Sequence, residues 1–246
     1  MPTSSVVAFR RIEREPLHDL AHTQLREALL AGRFEPGASL TLRALAESFG
    51  ISITPVRDAV TRLVAQGVLQ SGPRNSAIVP HLTAGELRHI TMVRCALEGR
   101  AAREAAGNPD HEAHARLESR LATMRALIKD RKLASYLEHH RQFHFEIYAM
   151  SNNPILVDMI ENLWLRCGPA LSFVIPQYVL SLKGSDHHTA ALNGIRKGAG
   201  ELAEAAIVAD ITEAATYLGT LADITGRLAK PKADERVAAG SRRTPK

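Results

Sequence analysis

The 246-residue sequence predicts a mainly α-helical protein, and three observations predict it. Aromatic residues make up only 4 % of the chain while alanine and leucine are abundant, a composition that favours helix over strand. Apolar residues recur at three- and four-residue spacing over most of the length. Strand-like patterns are confined to two short runs, Val68-Leu69-Gln70-Ser71 and Ala77-Ile78-Val79-Pro80. With 45 % apolar residues the chain can build a sizeable core, as one large domain or two modest ones.

The elements follow in order. Residues 17–31 place Leu17, Ala21, Leu25, Ala28 and Leu29 on one helical face, and Gly32 offers a stop. Phe34-Glu35-Pro36-Gly37 reads as a turn. A short helix over 41–49 carries Leu42, Leu45 and Phe49, then Gly50 permits a tight turn and Ser52 stands where it can cap the next helix. That helix covers 53–66, with Pro55 in its first turn, where a missing N–H costs nothing. After Gly67 the two strand-like runs flank Gly72-Pro73-Arg74-Asn75-Ser76, a hairpin with a five-residue loop. Three helices and a hairpin are the order of a winged helix-turn-helix domain, assigned to residues 1–82. From Thr83 to Leu228 nearly everything reads as amphipathic helix, broken near Gly107-Asn108-Pro109, Asn152-Asn153-Pro154, Pro176, Gly184-Ser185 and 198–200. No internal period is evident, so residues 83–228 are expected to form an all-α bundle of six or seven helices.

A net charge of +5 invites a nucleic-acid partner, but its location matters. Residues 1–80 carry nine basic against seven acidic residues, 81–228 sixteen against seventeen, and 229–246 six against two. Most of the excess lies in the last stretch, which is polar enough to read as a disordered basic tail, so bulk charge alone does not make a DNA binder. Cys95 and Cys167 lack metal-knuckle spacing and read as small core residues. Neither a long apolar run nor a signal-like N-terminus is present, so a cytoplasmic protein without a membrane partner is expected.

On the helix over 53–66, Val56, Val60, Leu63 and Val64 share a stripe, which turns Thr54, Arg57, Asp58 and Thr61 outward. Arginine near the start of such a helix can bond guanine through both nitrogens of its fork; Arg43 can reach a phosphate or base, and Arg74 at the hairpin tip can reach the minor groove. Solvated surface arginines give the same periodicity. The run from Gln24 to Leu69, with Phe34-Glu35-Pro36-Gly37, Leu45-Ala46 and Ser52-Ile53-Thr54-Pro55-Val56-Arg57-Asp58-Ala59 before Leu63 and Gly67, resembles the winged helix-turn-helix of GntR-type bacterial transcription regulators. The resemblance implies double-stranded operator DNA as partner and Arg43, Thr54 and Arg57 as contacts, to which Ser52 and Arg74 are added as candidates. Ile53 stands where many members have arginine, and Ser76 where the hairpin tip is usually glycine; an altered operator preference is expected.

In the second half, Leu133, Leu137, His140, His144 and Ile147 form one stripe, so the two histidines project from one face on consecutive turns. His139 lies one residue off it, as a solvated neighbour. His188 heads a stripe with Leu192 and Ile195, with His187 beside it. Asp210 interrupts the apolar face of Ala203, Ile207, Ala214 and Tyr217, and a buried carboxylate requires a cation, a donor network or a raised pKa. His140, His144, His188 and Asp210 thus offer three nitrogens and one oxygen, a set suited to zinc, nickel, manganese or iron. A hydrogen-bonded histidine cluster without metal satisfies the same pattern. Arg94, inward with Ile90, Leu97 and Ala101, wants an anion, either Glu98 one turn on or a bound ligand.

The segment from Leu87 to Arg103 with its Arg94-x-x-Leu97-Glu98 arrangement, followed by Phe143-His144 and Asn153-Pro154, resembles the FCD effector domain of the FadR subfamily. Together the two resemblances cover roughly residues 15–220. Many members hold a divalent metal through one aspartate and three histidines. His144 and His188 match two of the family's histidines, whereas His140 takes the aspartate position and Asp210 a histidine position, so the inventory is kept with two places exchanged. The arginine matching Arg94 often faces a small organic acid on the metal. What is implied is a homodimeric regulator, a repressor by the commoner family behaviour, whose helical domain binds a small carboxylate effector. A metal-dependent hydrolase, or a regulator whose helical domain has no metal and only dimerises, are the alternatives.

Overall fold

The computed structural model describes residues 17–171 and 187–228. Helix α1 (Leu17–Leu30) precedes a short strand β1 (Ser39–Thr41), then α2 (Leu42–Phe49), α3 (Ile53–Ala65), β2 (Gln70–Gly72) and β3 (Ser76–Ile78). Six further described helices follow: α4 (Ala84–Ala105), α5 (His111–Lys129), α6 (Leu133–Ala149), α7 (Pro154–Leu171), α8 (His187–Arg196) and α9 (Gly200–Gly219). The fold is mainly α, a winged helix-turn-helix followed by a helical bundle. Pro176, Gly184, Ser185 and the basic tail over 229–246 lie outside the described residues.

The first unit closes on Leu25 and Leu29 of α1, Val56 and Leu63 of α3, and Leu69, Ala77 and Val79 of the hairpin, all buried. Leu17 of the predicted stripe is exposed, at the very start of α1, while His22 and Leu30 are buried beside it. Thr41 caps α2, accepting a hydrogen bond from the Ala44 N–H, and Gly50 takes the left-handed conformation that ends it. Ser52 stands at the N-cap of α3 with extended backbone angles but makes no side-chain cap bond, so it does not close the helix as its residue type suggested.

The hairpin is larger than predicted. β1 joins as a third strand in the order β1-β3-β2, antiparallel throughout, with Leu40 opposite Ala77 and Ser71 opposite Ala77 on the other side. Three residues are too few to display an alternating pattern, and their pairing is with a strand far along the chain. The connection spans residues 73–75 rather than five, and the left-handed angles fall on Arg74 and Asn75, not on Ser76. Ser76 is already in β3, where its hydroxyl donates to the Pro73 carbonyl at 2.7 Å. The concern that serine replaces a required glycine therefore dissolves.

In the bundle, α4 packs along α9, α9 along α8, α5 along α6, and α7 lies against α4 and α6. Thr83 and Glu86 form a capping box at the start of α4, each side chain bonding the other's backbone N–H. Helix α9 ends at Gly219, so the helical reading to Leu228 was too long. Residues 220–228 turn back instead, with the Leu228 N–H on the Leu82 carbonyl at 2.9 Å and the Ala84 N–H on the Gly226 carbonyl at 2.8 Å.

Helix α7 also reaches the first unit. It packs on α1, Glu161 pairs with Arg26, and Gly168 approaches so closely that a Cβ there would lie 2.5 Å from the Leu29 carbonyl oxygen and 3.3 Å from Leu30 Cα. The neighbours are backbone atoms and cannot swing aside. Gly168→Ala is therefore expected to destabilise the protein by about 1–3 kcal/mol despite alanine's better helix propensity. Urea unfolding of the two forms checks this, and an unchanged or higher midpoint would show that α1 and α7 yield freely.

Candidate functional site

Helix α6 sets the foundation of the site. His140 and His144, one turn apart, bring their Nε2 atoms to 3.2 Å, and His188 from the first turn of α8 places its Nε2 3.3 Å from that of His144. Asp210, in the middle of α9, completes the group. One carboxylate oxygen lies 3.4 Å from His144 Nε2 and 4.0 Å from His140 Nε2, and the other lies 3.5 Å from His188 Nε2. All four ligand atoms fall within 4.8 Å of one another, so the structure brings together every residue of the predicted cluster.

The donor set can be tested against a metal on geometry. Bonds of about 2.0–2.1 Å in a tetrahedral arrangement put neighbouring ligand atoms about 3.3 Å apart. The 3.2–3.5 Å separations among His144, its two histidine partners and Asp210 match that edge. Three Nε2 atoms pointed at one another leave at most a few protons to share, which makes the cluster hard to satisfy from within and well suited to a cation. The residues present thus fit a divalent ion.

Electrostatics agree. Burial drives the His140 imidazole well below its ordinary range, aided by His144 and His188, so it is neutral and able to donate a lone pair. Burial would raise the Asp210 carboxyl, but the surrounding imidazoles of His188, His144 and His140 outweigh it and hold Asp210 below the usual carboxylate range. Neutral imidazole and ionised carboxylate are the forms that bind metal.

Behind the cluster runs a polar chain that the sequence did not disclose. His144 Nδ1 lies 2.9 Å from the Tyr148 hydroxyl, which donates to Glu98, and Glu98 accepts from Arg94 Nε at 2.5 Å and Nη2 at 3.3 Å. With Nε2 directed at the cluster, the Nδ1–H of His144 donates to Tyr148, which fixes tautomer and ring orientation. Burial and the Glu98 charge push the Tyr148 hydroxyl well above its ordinary value, Arg94 opposing them, so it remains a donor. The Arg94 and Glu98 side chains are 11 % and 0 % exposed. Burial disfavours the Arg94 charge, but Glu98 overrides it and keeps the guanidinium protonated. The intrahelical pair is therefore formed. Arg94 also stacks on Trp164 of α7, its Cζ 4.7 Å from the ring centre.

Tyr148 was legible in principle, since it extends the His140–His144 spacing by one more turn. His139, expected in solvent, is half-buried with its Nδ1 enclosed. His187 stands beside the site as expected, 3.0 Å from Glu213.

At the other end of the molecule, α3 buries Val56, Ala59, Val60 and Leu63 and leaves Thr54, Arg57, Asp58 and Thr61 exposed. Ile53 at its start is 42 % exposed. Arg43 stands out from α2 with its side chain 84 % exposed, 2.9 Å from Glu47 one turn on. Arg74 is exposed at the hairpin tip. Between α3 and the hairpin runs a cleft of about 240 Å³ lined by Arg57, Thr61, Ser71 and Asn75 among others. The surface offers one helix face and one cationic tip, the two parts a winged domain brings to a groove and its flank.

Residues 19–79 match the family of bacterial regulatory proteins known as gntR, and residues 89–213 match the FCD domain. The HTH-type transcriptional regulator McbR of Escherichia coli K12 is 36 % identical over 150 residues, which span 61 % of this chain and 68 % of that protein. The HTH-type transcriptional repressor RspR of the same organism is 26 % identical over 149 residues, 61 % of this chain and 65 % of that one. Among solved structures, E. coli McbR/YncC superposes with a TM-score of 0.73 at 27 % identity, covering 83 % of this chain and 97 % of that one. A GntR protein from Rhodococcus sp. RHA1 shares the fold at 16 % identity with a TM-score of 0.65, covering 81 % of this chain and 96 % of that one. These relatives are regulators rather than enzymes, which sets the hydrolase alternative aside.

Proposed function

The chain belongs to the GntR family of bacterial regulators and carries its FCD domain, and from that premise we propose a cytoplasmic homodimeric repressor that senses a small organic acid at a metal site. It is a DNA-binding transcription regulator. Residues 1–82 bind operator DNA through Arg43, Ser52, Thr54, Arg57 and Arg74, and residues 83–228 sense and dimerise. No described helix is long and apolar enough to cross a membrane.

The observation that carries the sensing role is the convergence of His140, His144, His188 and Asp210 within 4.8 Å. A divalent ion held there, whether zinc, nickel, manganese or iron, would supply open positions for carboxylate oxygens. The protein's own residues do the rest. Tyr148 and Glu98 orient His144, and Arg94, held by Glu98, adds a fixed positive charge that favours an acid over a neutral sugar. Coupling to DNA requires the acid to prefer one arrangement of the DNA-binding domains. Helix α7 supports this, because Trp164 touches the histidines while Glu161, Arg166 and Gly168 contact Arg26, Gly67 and Leu29 of the first unit.

The test is the melting temperature before and after chelation, followed by add-back of single metals. Saturation at a hundred times the dissociation constant stabilises by about 2.7 kcal/mol, so chelation is expected to lower the melting temperature by about 5–10 °C in a protein of this size. Recovery with one or more metals supports the site. No shift and no metal in the same sample would leave a hydrogen-bonded core cluster and a domain that only dimerises.

A further inference from the structure

Trp164 is the only tryptophan in the chain and sits where the histidine cluster, Arg94 and α7 meet. It is 2 % exposed. Its ring centre lies 5.6 Å from that of His144, 6.2 Å from His140 and 5.4 Å from Phe145, with the Arg94 guanidinium across its face. The indole Nε1 is buried and meets no acceptor among the described residues. Leaving such a donor unpaired costs about 1–3 kcal/mol, and buried indoles ordinarily find a partner.

The neighbours explain why none is supplied from within. Arg94 is a donor only and Phe145 has no polar atom. Glu98 already serves Arg94 and Tyr148, and Asp210 faces the three histidines. The side of the site made by α4 and α7 therefore presents donors without a matching acceptor.

We infer that Trp164, whose ring packs beside the histidine cluster and whose buried indole N–H has no acceptor among the described residues, recognises the effector by donating a hydrogen bond to an oxygen of the small acid bound there. The inference rests on the reading that this pocket receives an acid, and it narrows the class. An acid with an oxygen beyond those used at the cluster, a hydroxy acid or a di- or tricarboxylate, satisfies both the cluster and the indole. A ligand that turns an ammonium or amide N–H toward Trp164 and Arg94 is rejected, because donor faces donor.

A single tryptophan gives a single indole N–H resonance. The full chain, labelled with ¹⁵N-tryptophan and loaded with zinc, would be titrated with oxalate, lactate and citrate, and the affinities of wild type, Trp164→Phe and Trp164→His compared by calorimetry. At least one acid is expected to move the indole proton downfield. Trp164→Phe should bind that acid about tenfold more weakly at unchanged zinc content, and Trp164→His, which keeps a ring N–H, should recover part of the loss. An acid that binds without moving the resonance, equal affinity in the phenylalanine variant, or no response to any of the three acids overturns the inference. If the phenylalanine variant fails to fold, the resonance of the unsubstituted chain decides. Zinc content is read separately: a chain that takes up no zinc refutes the metal site, and the same titration of the zinc-free protein then upholds or overturns the role of Trp164 alone.

Discussion

Asp210→Ala is expected to lower metal affinity by more than about a hundredfold, since loss of outer-shell partners alone costs about 10–100-fold and Asp210 is the one anionic member of the set. The carboxylate lies within 4.0 Å of all three imidazoles. Without it, three neutral rings would face a dication with no charge to balance it in a low-dielectric interior. Competition with a chelator of known affinity measures the change, and Asp210→Asn, which keeps the volume, separates lost charge from lost packing. The response to acid should fall with metal affinity, while DNA binding in the absence of acid should stay near wild type, because α9 makes no contribution to the surface around α3. Metal content equal to wild type would make Asp210 a structural acid that serves only to hold the histidines.

Arg57→Ala is expected to reduce operator affinity to the level of nonspecific DNA. Arg57 is exposed on α3 between the buried Val56 and the wing cleft, and it has no ion-pair partner among the described residues. Nothing in the fold depends on it, and alanine favours the helix. A bidentate arginine–guanine contact is worth about 1–3 kcal/mol against a wrong base, and the proposed homodimer on a palindromic site would use it twice. The expected loss is therefore about 2–6 kcal/mol, from tens of times to more than ten-thousandfold. Anisotropy titrations with operator and scrambled duplexes at several salt concentrations distinguish this from a lost phosphate contact, which would weaken both duplexes alike and lower the salt slope. Unchanged affinity and preference would overturn the assignment of α3 as the recognition element.

How much of this was legible can be judged residue by residue. The α3 face was readable because burial of Val56, Val60 and Leu63 follows directly from helical spacing. The same logic placed His140 and His144 on one face and Asp210 on another. It did not reach Tyr148, although that residue continues the same row, because a tyrosine in an inward stripe is ordinarily core. It could not reach Trp164, whose significance lies in an unpaired N–H that no spacing reveals. The wing went partly astray: the turn after Pro73 puts Arg74 and Asn75, not Ser76, in the left-handed region, and asparagine tolerates that region better than most residues. For Arg94, spacing left Glu98 and a ligand as rivals, and the structure shows that Glu98 holds its Nε and Nη2.

The sequence by itself determined most of the inward faces, the starts of α2, α3 and α4, and which residues α3 turns to solvent. These are local matters, set by the 3.6-residue period and by capping and turn chemistry. Only the tertiary structure decided which inward faces meet. The Nε2 of His188 comes within 3.3 Å of a histidine 44 residues earlier, Glu98 bonds Tyr148 across 50, β1 joins a strand more than thirty residues away, and residues 220–228 return to the start of α4. Periodicity fixes the direction of a side chain relative to its own axis. The crossing of one helix over another, and with it the chemistry of a site shared among α4, α6, α7, α8 and α9, is fixed by packing between segments distant in the chain.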